Sequence, residues 1–154
     1  MKYIVSTLFV FLLPLALLSQ TDSLIKVVKK HPVISEGGAE VIPFDGQAYI
    51  VGVGFVENKG QSRSILERIG KVKAEKEIAV LINGSDFTSS AVAVIEQIVT
   101  TEGNERKVEE KTSYFQTIKE NSEGFIHSMS KLASWKSDDK SMFYYAIYKP
   151  INIE

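Results

Sequence analysis

The 154-residue chain contains no cysteine. That absence excludes a disulfide scaffold, a cysteine nucleophile and any thiolate metal site. Histidine is scarce as well, with only His31 and His127 present. Metal sites built from nitrogen and oxygen usually gather two or three histidines with a carboxylate at helical or hairpin spacing, and neither histidine has such neighbours. No metal or other cofactor is expected. Basic excess is also missing: 18 Lys and Arg stand against 19 Asp and Glu, so the chain lacks the clustered positive charge of a nucleic-acid binder. The pair Gly52 and Gly54 has no third glycine at the interval a dinucleotide loop requires, since position 57 is Glu. No Gly-Lys-Ser/Thr phosphate loop and no Gly-x-Ser-x-Gly elbow occurs either. Asp86, Glu96, Asp138 and Asp139 are the carboxylates to place, but the last two sit in a predicted turn, where Asp is favoured for backbone bonding. No catalytic residue is assigned, and the chain reads as a non-enzyme.

What is there begins with a leader. Lys2 is followed by an apolar run from Ile4, interrupted by Pro14 and ending near Ser19. An early cation, a short apolar stretch and a small residue are the layout of a secretory signal peptide. The run is too short for a membrane anchor, which needs about 20 apolar residues. Cleavage of 1–19 removes Lys2 and leaves 17 basic against 19 acidic residues, formally −2. The expectation is an exported protein with no transmembrane span after cleavage, in the periplasm or outside the cell, with peripheral attachment at the outer membrane open.

Pro32, Gly37, Gly38, Pro43 and Gly46 punctuate residues 20–47 too closely for a long element, so this stretch reads as an extended N-terminal segment or linker. Residues 48–150 read as a single α+β domain. Ala48 to Val56 is a strand, with Tyr49, Val51, Val53 and Phe55 on one face and Ile50, Gly52, Gly54 and Val56 on the other. Bare glycines on one face predict a helix packed directly over them. That helix is expected at about 62–83, started by a Ser64/Glu67 capping box or earlier at Ser62. Ile65, Ile69, Val72, Ala79 and Ile82 form its apolar stripe, extended by Leu66, and Asn83-Gly84 a left-handed cap. The alternative makes Asn83-Gly84 a hairpin turn between strands. Asp86 to Thr101, rich in Val, Ile, Ser and Thr, reads as a long strand. Residues 102–124 fit a returning strand better than a helix. The later half of Phe125–Trp135 is extended, residues 137–140 turn, and Met142 to Tyr148 form a strand that Pro150 ends. The fold class is therefore α+β: an antiparallel sheet of three to five strands with one long helix across one face.

Trp135, Tyr144, Tyr145 and Tyr148 are the candidate interaction surface, because Tyr and Trp are favoured in contact patches. Phe143, Tyr145 and Ile147 should face one way, and Tyr144 and Tyr148 the other.

The order of elements resembles a known family. A strand with Tyr49-Ile50-Val51-Gly52-Val53-Gly54 leads into a helix carrying Lys73-Ala74-Glu75 and closing on Leu81-Ile82-Asn83-Gly84. A Ser/Thr-bearing strand, a charged segment with Phe115 and a Trp135–turn–Tyr145 hairpin follow. This is similar to the bacterial outer-membrane lipoproteins of about twenty kilodaltons and the related N-terminal domain of a flagellar T-ring protein. The resemblance spans roughly 49–149 and implies a compact envelope domain whose partners are envelope or surface proteins. Family members usually carry a lipid-bearing Cys, which this chain lacks. Protein–protein interaction or structural assembly is the expected role. The alternative is a small-ligand-binding periplasmic protein with a pocket between the helix and the Gly52/Gly54 face.

Overall fold

The computed structural model describes residues 21–98 and 105–152. The expected leader at 1–19, residues 99–101 of the strand expected at 86–101 and residues 102–104 of the expected returning strand lie outside the described residues. The segment taken for a linker is structured from residue 21 onwards. Residues 21–30 form a helix, α1, in which Leu24 and Val28, one turn apart, are buried. After the turn around Ile34, β1 (Gly38–Phe44) pairs antiparallel with β2 (Gln47–Glu57). Asp45 and Gly46 join them, with φ of 50° and 73°. Two successive positive-φ residues make the type I′ turn whose twist suits a two-residue hairpin, and Asp-Gly is a favoured pair for it. The closely spaced prolines and glycines are thus punctuation between short elements. Pro43 is accommodated because β1 is an edge strand.

The sheet has four antiparallel strands in the order β1-β2-β4-β3, with β3 at Ser130–Lys136 and β4 at Met142–Ile151. The fold is α+β. Pro150 does not end β4, which pairs with β2 as far as Ile151. The partner β3 begins opposite Tyr148, so past that point β4 is itself an edge, where proline is tolerated.

The long helix, α2 (Arg63–Asn83), lies across one face as expected. Ser62, rather than Ser64, caps it: the Ser62 hydroxyl accepts the Ile65 N–H. Gly84 is not left-handed, with φ −61°, and its N–H donates to the Leu81 carbonyl. The glycines of β2 meet the helix backbone. A Cβ on Gly54 would stand 2.2 Å from the Gly70 carbonyl oxygen, and one on Gly52 2.6 Å from Ile78 Cγ1. Gly70 repeats the device from the helix side, since its own Cβ would stand 2.7 Å from Tyr145 Cβ. Small residues on both surfaces therefore let helix and sheet approach to backbone contact.

Two segments read as strands are helices. α3 (Phe87–Ile98) replaces the strand expected at 86–101, and its Phe87, Ala91 and Ile95 are buried at four-residue spacing. Ser90 N donates to the Asp86 carbonyl at the start of this helix. α4 (Glu105–Glu120) replaces the returning strand, with Lys111, Phe115 and Ile118 on its buried side. Phe87 and Phe115 meet edge to face at 5.6 Å, joining the two helices. The short α5 (Ser122–His127) leads back to β3.

The sheet is covered on both faces. Ile50, Val56, Phe143, Tyr145 and Ile147 pack with α2, α3 and α4 in one apolar core. Ile42, Val51, Val53, Leu132 and Ala146 pack with Leu24, Val28 and Ile34 in a second core under α1.

Candidate functional site

The four aromatic residues singled out from the sequence divide between the two faces as their alternation requires. Tyr145 is only 8 % exposed and belongs to the α2 core, so it is not part of an interaction surface. Trp135, Tyr144 and Tyr148 lie half-buried on the α1 side. There Trp135 stacks on Tyr144 with ring centroids 5.4 Å apart, and Lys29 of α1 sits 5.3 Å above the Trp135 ring. Tyr148 lies 6.2 Å from Tyr49, which lies 6.4 Å from Phe44. Burial first, then the neighbouring Tyr148 and Asp45, raise the Tyr49 hydroxyl above its ordinary pKa. These rings form much of the floor on which α1 rests.

The pocket expected between helix and glycine face is closed by the contacts of Gly52 and Gly54 with Ile78, Gly70 and Ala74. Clefts occur instead beside α5. One of about 260 Å³ lies against α4 and β4 and is lined by Tyr114, Ile118, Phe125 and Lys149 among others. Another of about 380 Å³ lies between α2 and α5, with Val72, Ala79 and Ile126 as its apolar lining.

The two histidines are far from forming a site together. His31 Nδ1 lies 3.4 Å from Glu40 Oε2, and His127 Nε2 lies 3.7 Å from Glu123 Oε1. Ser128, next to His127, donates to the Phe125 carbonyl and accepts from Lys149. Asp86 accepts from the Ser85 hydroxyl at the start of α3, Glu96 and Asp138 are exposed, and Asp139 anchors the β3–β4 turn. Among the described residues no three His, Asp or Glu side chains gather into a metal-binding group.

Helix α2 departs most from its sequence reading. Leu66, Gly70, Ala74, Ile78 and Ile82 are the buried stripe. Of the stripe read from the sequence only Leu66 and Ile82 are in it. Ile65 and Val72 point outwards, 41 % and 60 % exposed, and Val80 joins them at 62 %. Ile69 and Ala79 are half-buried beside them. At 100° per residue Ile65, Val72 and Ala79 fall on one line opposite the sheet, flanked by Ile69 and Val80. The helix is therefore apolar on two faces, and among the described residues the outer one has no covering element apart from α5 at one side.

The outer half-turns also carry charge. Arg68, Lys71, Lys73 and Lys76 are exposed there. Glu75 is the carboxylate among them, and it pairs with Lys71 at 3.6 Å. Glu67 points to the flank instead, where Oε1 accepts from Arg63 and Lys131, each at 3.0 Å, and from the Ser134 hydroxyl at 3.3 Å. Those bonds, Lys131 first and Arg63 next, hold its carboxyl below the usual value. On the other flank Lys73 lies 4.9 Å over the Phe55 ring. The arrangement is an apolar strip edged by cations, with a cleft along part of its length. It was legible in principle, since the α2 sequence has more apolar positions than one face can hold.

Comparison with protein-family models, with curated proteins and with solved structures returned no match. Among the described residues no single helix is long and apolar enough to cross a membrane. The bent pair α2 and α3, at 93°, passes such a test by length and composition only, and its Ile78, Ile82, Phe87 and Ala91 are buried in the core.

Proposed function

We propose that this chain is an exported, non-enzymatic domain of the bacterial envelope that works through protein–protein contact, in the manner of the lipoprotein and T-ring families it resembles. The observation that carries this reading is the uncovered apolar strip of α2 formed by Ile65, Val72 and Val80. Isolated apolar residues on a surface are ordinary, but exposed Ile65, Val72 and Val80 share one helix face with half-buried Ile69 and Ala79, and apolar residues gathered on a charge-rimmed face mark contact sites. The leader supports export, and the missing lipid-bearing Cys makes attachment to the membrane depend on partners.

A photo-crosslinking residue placed at Val72 tests the reading in the exporting cell. Discrete crosslinked protein species, absent when the crosslinker replaces the exposed Glu96 of α3, are the expected result. Crosslinking indistinguishable between the two positions would remove the reading. Fractionation of the same cells tests export: the mature chain should be found outside the cytoplasm and shortened by 1–19.

A further inference from the structure

We infer that the outer face of α2, with the cleft beside α5, receives an acidic amphipathic helix of a partner protein. This rests on the protein-contact reading above and names the chemistry of the partner. The strip from Ile65 to Val80 covers 15 residue steps, about 22 Å of helix. A second helix lying along it would seat apolar side chains at intervals of three and four residues, as helix-in-groove recognition requires. One such side chain enters the cleft of about 380 Å³, between Val72 and Ala79 of α2 and Ile126 of α5.

Charge selects the sign of the partner. Arg68, Lys71, Lys73 and Lys76 give four positive charges on this half of the helix, against Glu75 and Glu123 of α5, which line the cleft, a balance of +2. A second copy of the same face fits badly. Antiparallel pairing centred on Val72 would set Arg68 against Lys76 and Lys71 against Lys73, and like charges at a contact are unfavourable. A flat anionic membrane is a poorer match than a helix. The cleft is concave, α5 flanks the strip, and Glu123 stands on that rim with 90 % of its side chain exposed. A helix can set its carboxylates towards Lys73 and Lys76 and away from Glu123, which a uniform anionic surface cannot do.

The test uses the mature chain and two synthetic helices of about 18 residues sharing one leucine stripe, the first flanked by Glu and the second by Lys. The Glu-flanked helix should bind at least tenfold more tightly by fluorescence anisotropy, and added salt should weaken it. Amide resonances of Val72, Ala79 and Ile126 should shift on titration. Val72→Glu and Lys76→Glu should each cost at least tenfold, while Val33→Glu, at an exposed site on another part of the molecule, leaves binding unchanged. Circular dichroism confirms that each variant is folded. Equal affinity for the two helices, no saturable binding, or shifts away from α2 and α5 would overturn the inference. So would tighter binding to phosphatidylglycerol vesicles than to the Glu-flanked helix with the same sensitivity to Lys76→Glu. Should the acidic helix fail while crosslinking at Val72 still captures discrete proteins, protein contact stands and only the partner's chemistry falls.

Discussion

Asp139 accepts hydrogen bonds from the Ser137 hydroxyl and from both the backbone N–H and the hydroxyl of Ser141. These donors favour the ionised form, the Ser137 hydroxyl most, and bring its pKa from 3.8 down to about 2. A pKa lower in the folded state than in the unfolded one adds stability that is complete above the unfolded value. That contribution fades as pH falls from about 4 towards 2, where the folded carboxyl also takes its proton. Asp139→Asn should therefore melt below the parent at neutral pH, with the gap closing in that acid window, and carboxyl NMR titration should place Asp139 near 2. At Gly54 the constraint is steric. Gly54→Ala sets a Cβ 2.2 Å from the Gly70 carbonyl oxygen and 2.5 Å from the Ala74 nitrogen, both backbone atoms that cannot turn aside. Overpacking of this kind costs about 3 kcal/mol, so denaturant titration should show a large loss. Gly46→Ala, where a Cβ meets nothing but the φ of 73° remains unfavourable, should lose only about 1 kcal/mol.

Helix α2 separates its two apolar faces cleanly by consequence. Ile78→Ala should cost about 3 kcal/mol, because Ile78 is fully buried and fills the space over Gly52. Val72→Ser, on the outer strip, should change stability by no more than about 0.5 kcal/mol, and chemical denaturation of the two variants distinguishes the faces directly. The existence and approximate length of this helix were readable from its charged periodicity, and so was the packing of β2 glycines against it, whereas a Ser64/Glu67 capping box was the first reading of its start and Ser62 is the cap. Its orientation was not readable. The inner stripe contains Gly70 and Ala74, which carry little apolar signal, whereas the outer one contains Ile65, Ile69 and Val72. A reading by hydrophobicity alone selects the wrong side when the inner face must be small enough for backbone contact. The helices α3 and α4 were missed for related reasons. Ala91 to Ile95 is one unbroken apolar run, in which a period of two and a period of 3.6 look alike. In α4 the buried positions include Lys111, whose alkyl stem packs like an apolar residue while its type suggests surface. The Asp45-Gly46 hairpin was missed as well, although the dipeptide itself is a plain local signal.

At the level of the whole molecule the sheet is a shared wall between two apolar cores, and α1 with β1 closes the second of them. A chain beginning at Gln47 would lose Leu24, Val28, Ile34 and Ile42 and leave Val51, Val53, Leu132 and Ala146 open to water. Such a fragment should bind the dye ANS and lose near-ultraviolet dichroism, as a loosely packed state does. Were residues 20–47 only a tether, the fragment would keep both signals at parental levels. The four hairpin aromatics do not form one set, since Tyr145 lies in the other core, and α1 had to be seen before Trp135 and Tyr144 could be placed beneath Lys29. The strand order carries one more implication. Because β4 is inserted between β2 and β3, a nascent chain leaving the ribosome or a secretion channel holds β2 without its main neighbour until four helices and another strand have followed. The middle of the wall is laid down after both of its sides, so vectorial emergence alone cannot complete this protein, and its closing step waits for the far end of the described chain.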